Sequence, residues 1–196
     1  MKKFPLFFMM LFVVGLQAQT TISKKIKDFT TIKVYNGIDV ELIKSDLQEL
    51  VITGEKSEKV NVKHNRNILK ISLKFPETLA NNKVKVKLYY NKKIQVIDAN
   101  EGASIVAKEI KQQQLEVKTQ EGAYVNLLVD VKHLTIKAVS GGVIKLTGTA
   151  KNQSIEVNNA GVYHGFNLKT TDTSIVKAAL GGKAEVAVGE TLDAMA

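Results

Sequence analysis

Glu121-Gly-Ala-Tyr-Val-Asn-Leu-Leu-Val129 and Val139-Ser-Gly-Gly-Val-Ile-Lys-Leu-Thr-Gly148 decide the fold: each is a glycine turn followed by an alternating apolar/polar run. Glycines recur at this spacing. Gly102, Gly122, Gly141, Gly161 and Gly181 are separated by 20, 19, 20 and 20 residues. A fixed period of this size marks a stack of repeated units, each too small to bury its apolar face alone.

With each glycine as origin, the third residue onward is Ile105, Val125, Ile144, His164 or Ala184. The fifth is Ala107, Leu127, Leu146, Phe166 or Val186, and the seventh Glu109, Val129, Gly148, Leu168 or Val188. A period of two places these on one side of a strand and the residues between them on the other. A second short run precedes each glycine, as in Leu115-Glu-Val117, Leu134-Thr-Ile136 and Ile155-Glu-Val157. One unit is therefore strand, tight turn, strand and loop. Stacked in parallel about 4.8 Å apart, these units predict a parallel β-helix of about five rungs over residues 92–196. Evenly spaced hairpins in an antiparallel meander or sandwich are the alternative. The glycines are read as the turn residues, supplying positive φ.

Residues 19–91 also alternate, with Asn36-Gly37 as a strong turn signal, but lack the period. They are read as an amino-terminal cap or irregular rungs, continuous with the stack as one domain over 19–196. At the other end, Leu192-Asp-Ala-Met-Ala196 reads as the first strand of a rung with no return strand. A second copy of the chain covering that end is one expectation.

Met1-Lys-Lys3, an apolar stretch from Phe4 to Val14 and a small residue, Ala18, before Gln19 describe a signal peptide over residues 1–18. The apolar stretch is short for a bilayer span, so no transmembrane segment is expected. The protein is expected to be exported to the periplasm, the outer surface or the medium. The chain has no cysteine, which excludes disulfides, thiol catalysis and lipid attachment through a cysteine. Its formal charge is +9, nearly all from lysine, with Arg66 the only arginine. Lysine scattered on outward positions suits solubility and guarded strand edges. A reader of nucleic acid would favour the arginine fork, so no nucleic-acid partner is expected.

Chemistry has few candidates. His64, His133 and His164 are far apart, and His164 falls at an inward position beside Phe166, which suggests a packing role. No zinc-ligand spacing occurs, and neither catalytic residues nor a cofactor are expected. Stacking sets Glu101 over Glu121, a possible pair for a cation, against the plainer reading of two side chains splayed into water. Tyr124 and Tyr163 are read as outward and near-equivalent, two rungs apart, where they would offer faces to sugar rings.

Phe29-Thr-Thr-Ile-Lys-Val-Tyr-Asn-Gly-Ile-Asp-Val-Glu-Leu42, followed by Glu121-Gly-Ala, Ser140-Gly-Gly and Leu180-Gly-Gly in this order, resembles the bacterial "putative auto-transporter adhesin, head GIN domain" family, frequent among exported proteins of Bacteroidetes. The resemblance covers roughly residues 28–196. It implies a right-handed β-helix shaped like the pectate lyases, a role in adhesion and no established catalytic residues. Several turns depart from the family in lacking the Ser-Gly pair. The expectation is an exported, non-enzymatic, adhesin-like surface for a protein or glycan at the cell envelope. A polysaccharide lyase or hydrolase and a self-associating structural envelope protein are the alternatives.

Overall fold

A computed structural model describes residues 21–75 and 84–196; the expected signal peptide lies outside the described residues. Fifteen strands form one continuous hydrogen-bonded system, and no α-helix occurs among the described residues. They are β1 (Ile22–Lys25), β2 (Thr31–Val34), β3 (Asp39–Lys44), β4 (Glu49–Thr53), β5 (Val60–Asn65), β6 (Ile68–Leu73), β7 (Lys85–Tyr90) and β8 (Val96–Ala99). The later ones are β9 (Ser104–Thr119), β10 (Tyr124–Val139), β11 (Val143–Asn158), β12 (Val162–Thr170), β13 (Thr173–Ala178), β14 (Lys183–Val188) and β15 (Thr191–Met195).

The regular part is a β-solenoid of about five turns. β9, β10 and β11 are each 16 residues long, and β10 pairs in parallel with β9 and with β11 along both its halves. Their first halves, with β3, β12 and β14, build face A; their second halves, with β2, β8, β13 and β15, build face B. Inward side chains pile into columns between the faces. Ile105, Val125, Ile144 and Tyr163 form one, and Val117, Ile136, Ile155 and Val176 another. Val125 sits directly opposite Ile144, and both are fully buried.

The corner joining face B to face A is a tight turn with two consecutive residues at positive φ: Asn36-Gly37, Glu101-Gly102, Glu121-Gly122, Ser140-Gly141, Asn159-Ala160 and Leu180-Gly181. Two positive φ values in succession define the type I′ turn, which favours Asn followed by Gly. The corners stack through their backbones. The second turn residue donates its N–H to the first turn residue of the next layer, from Gly37 to Glu101, Gly102 to Glu121, Gly122 to Ser140, Gly141 to Asn159 and Ala160 to Leu180.

This register corrects the reading of the fourth rung. Its turn is Asn159-Ala160, so Gly161 is not a turn residue. Gly161 aligns with Ala103, Ala123, Gly142 and Gly182, the first residue after each turn. That column runs against the backbone of the layer below, and a Cβ on Gly161 would lie 2.0 Å from the Ala138 carbonyl oxygen. The start of β12 is therefore displaced by one, until Leu168 regains the expected inward place: Tyr163 points inward and is fully buried, His164 points outward, and Phe166 is 72% exposed. The carboxy-terminal segment follows the expected phase. β15 pairs on face B with β13, the strand that precedes the Leu180-Gly181 turn, so residues 192–196 take the place of the first strand of a further unit.

The amino-terminal strands enter the same stack out of sequence order. β2, the Asn36-Gly37 turn and β3 form one layer; β6 and β7 lie on one side of it, β8 and β9 on the other. β4 and β1 extend face A, and β5 extends face B, all by antiparallel pairing. Between β7 and β8 the chain skips the β2–β3 layer.

Candidate functional site

The two outer surfaces differ in chemistry. Face B carries lysine–acid pairs along its rows: Lys33–Asp98 at 3.1 Å, Lys118–Glu116 at 3.4 Å and Lys137–Glu156 at 3.0 Å. Face A carries the exposed apolar groups Val106, Tyr124, Leu128 and Phe166 together with an ion pair of its own, Lys183–Glu185 at 2.9 Å, whereas the outward apolar groups exposed on face B, Ile175 and Met195, lie on its last two strands. Its outward rows follow from the register. One runs Ser104, Tyr124, Val143, Val162, Lys183; the next runs Val106, Asn126, Lys145, His164, Glu185.

Phe166 leaves the regular row through a bulge. β11 and β12 are in step at Lys145 and His164 and again at Gly148 and Leu168, so β12 holds one residue more than its partner. An extra residue bends the strand and re-aims side chains. Gly165 sits inside, and a Cβ there would meet the Tyr163 ring at 2.3 Å. The buried ring thus takes the volume that a side chain at 165 would fill. The Tyr163 hydroxyl donates to Gln153 Oε1 across the core at 3.0 Å, and burial raises its pKa far above the ordinary value.

Tyr124, Val143, Lys145, His164, Phe166, Asn167 and Glu185 line a recess of about 420 Å³ on face A. Its polar floor is fixed. His164 Nδ1 and Glu185 Oε2 are 2.9 Å apart, and Lys183 Nζ lies 2.9 Å from Glu185 Oε1. Hydrogen bonds from His164 and then Lys183 hold the Glu185 carboxyl below the usual carboxylate range. The arrangement offers two aromatic rings flanking a cation, an imidazole and an amide, with one carboxylate already engaged.

Of the residues singled out from the sequence, Tyr124 is on this surface and Tyr163 is not. The alternation places Phe166 inside, so it carries no sequence signal of its 72% exposure. His164 joins the recess, whereas His64 lies in β5, remote in the strand order, and His133 lies on the face B half of β10. Glu101 and Glu121 do occupy equivalent positions in adjacent corners. The Glu101 carboxylate accepts a hydrogen bond from the Asn36 amide, which ties it to the layer below. Among the described residues no three or more His, Asp or Glu side chains converge as a metal site would require. No helix among them is long and apolar enough to cross a membrane.

The sequence profile of the family described as "Putative auto-transporter adhesin, head GIN domain" matches residues 28–196. The chain belongs to this family. Solved structures agree on the fold. A putative adhesin from Bacteroides fragilis superposes with a TM-score of 0.71 at 15% identity, covering 91% of this chain and 98% of that one. A putative adhesin from Parabacteroides merdae gives 0.57 at 19% identity, covering 93% and 98%. A protein from Parabacteroides distasonis described as a putative lipid binding protein gives 0.60 at 15% identity, covering 92% and 95%. No curated protein matches the sequence.

Proposed function

We propose that this head GIN domain protein is an exported, non-enzymatic adhesin that binds neutral sugar rings on face A. The observation that carries the reading is the recess between Tyr124 and Phe166, with Phe166 72% exposed on a structured strand. A large apolar ring held in water is costly unless a partner covers it, and a sugar's C–H face stacks on such a ring while its hydroxyls seek fixed polar groups. Lys145, His164 and Asn167 stand beside the rings to supply those. Membership of an adhesin family supports the role and the envelope location.

The recess is a poor hydrolase site. General acid catalysis needs a carboxyl whose pKa is raised, and its one carboxylate, Glu185, is shifted the other way. The test is a glycan array with the purified protein beside Tyr124→Ala/Phe166→Ala. Neutral glycans retained by the wild type and lost by the double variant, with no new reducing ends released, are the expected result. Equal retention by both proteins overturns the reading.

A further inference from the structure

A second concavity lies where the chain skips a layer. In the β2–β3 layer no strand bends from face A to face B: β3 ends at Lys44, and the chain leaves for β4. β9 pairs with β3 only as far as Ala107, then bulges at Lys108-Glu109 before rejoining β10 at Ile110. The missing corner leaves a groove of about 450 Å³. Lys92 and Lys93, on the connection that bypasses the layer, line it together with Lys108 and Lys111 of β9 and Lys44 of β3. Glu41 and Glu109 are its acids and Asp130 is paired with Lys111 beside it, so the five lysines leave an excess of two positive charges.

Two of the lysines are engaged. Lys44 Nζ donates to the Asn91 carbonyl and lies over the Tyr90 ring. Lys111 Nζ is 2.8 Å from Asp130, whose hydrogen bond raises the Lys111 pKa and so keeps the amine protonated. Lys92, Lys93 and Lys108 are exposed and have no carboxylate partner among the described residues. On face B, by contrast, Lys33, Lys118 and Lys137 each have an acid partner. Unpaired like charges gathered round one concavity repel one another and concentrate the field there.

We infer that this groove binds an acidic polysaccharide, a chain of uronate- or sulfate-bearing sugars. The apolar floor, made of Leu42, Tyr90 and Ile110, is recessed and almost fully buried, so the groove presents nothing to insert into a bilayer. It also offers no exposed ring for a nucleobase to stack on and no arginine fork. The lysines line the groove from three segments of chain, which suits a ligand with repeated charges. Lys108 stands in the bulge opposite Leu128, and the same row of face A climbs through Thr147 to the bulge that holds Phe166. That path covers three strand spacings, about 14 Å, the length of a few sugar residues. The inference extends the proposed sugar-binding role from single rings to a charged chain along the solenoid axis.

The test titrates the full-length mature protein with polygalacturonate and with dextran sulfate. Neutral dextran, single-stranded DNA and vesicles of mixed phosphatidylglycerol and phosphatidylcholine are the comparison probes. Binding to both acidic glycans should weaken steeply with salt and fall roughly tenfold or more in Lys92→Glu/Lys93→Glu/Lys108→Glu. Lys24→Glu/Lys63→Glu/Lys177→Glu makes the same charge change elsewhere and should retain most of the affinity. Equal loss in both triple variants overturns the inference, since it would leave only net charge. So does binding of the DNA or the vesicles as tightly as the acidic glycans. Circular dichroism confirms that each variant folds. Acidic-glycan binding that survives Tyr124→Ala/Phe166→Ala but needs the three lysines keeps the groove even where the neutral-glycan array overturns the aromatic platform; acidic-glycan binding that needs the two rings and not the three lysines overturns the groove.

Discussion

At the scale of single residues, the corner column separates two uses of glycine that look alike in a sequence. At the second turn position an L-residue must adopt a left-handed conformation, at a cost of about 1–2 kcal/mol. Ala160 sits there at φ 58°. Gly161, next to it, has ordinary φ but no room for a side chain. Ala160→Gly should therefore raise stability by up to about 1 kcal/mol, the relief of strain being partly offset by a floppier unfolded chain. Gly161→Ala should lower it by about 1–3 kcal/mol, because a backbone carbonyl must move. Thermal melts of the two variants check this; equal effects would mean that the turn is misplaced. Tyr163 gives a pH signature. Burial raises its pKa in the folded state, so the folded protein resists its ionisation. The stability this represents is complete below the unfolded value near 10 and is lost as pH rises above it. Tyr163→Phe leaves Gln153 Oε1 without its donor and should cost about 1–3 kcal/mol at neutral pH. Its melting temperature should nevertheless fall less than that of the wild type between about pH 9 and pH 11.

At the scale of elements, the period was legible because the inward columns of β9, β10 and β11 hold aliphatic residues that repeat with the corners. The phase of β12 was not. Two glycines can mark a corner only if the turn uses them, and Asn159 with Ala160 does the same work one position earlier. The alternation misled for a related reason. Tyr163 is an inward aromatic whose volume is compensated at Gly165, so polarity no longer tracks the side that a residue faces. The bulge at Phe166 leaves no mark in the sequence, because it is defined by what β11 does opposite. The resulting recess was beyond sequence reasoning, although Tyr124 was correctly placed on the outer row. Its Glu185 bridge has a testable acid limit. The pKa is depressed by His164 and Lys183, so the contact is intact above the ordinary carboxylate range and is lost as pH falls through the lower folded value. The 13C shift of the Glu185 carboxyl itself should titrate with a midpoint below about pH 4.5; a midpoint at or above that point would mean that Glu185 is not held by its partners.

At the scale of the whole molecule, a stack of layers has no reason to be uniformly stable, because each layer is supported only by its neighbours. β10 and β11 are covered on both sides, and Ile136 and Ile155 are almost fully buried. β15 is hydrogen-bonded to β13 alone, and Leu192, though it occupies the inward row beside Ser174, is 53% exposed. The first antiparallel strand on the opposite end of face A, β1, presents Lys24 and Lys25, which discourage a further strand from adding there. A stability gradient along the axis follows. Ile136→Ala removes a side chain packed on every side and should cost about 2–5 kcal/mol. Leu192→Ala removes one that keeps half its contact with water and should cost about 1 kcal/mol or less. Native-state hydrogen exchange reads the same gradient without mutation. Amides of β10 and β11 should exchange only through opening of the whole stack, whereas those of β15 and then β14 should exchange through local opening. Uniform protection from β10 through β15 would show that the last layer is covered in solution, and that would point to self-association at this end.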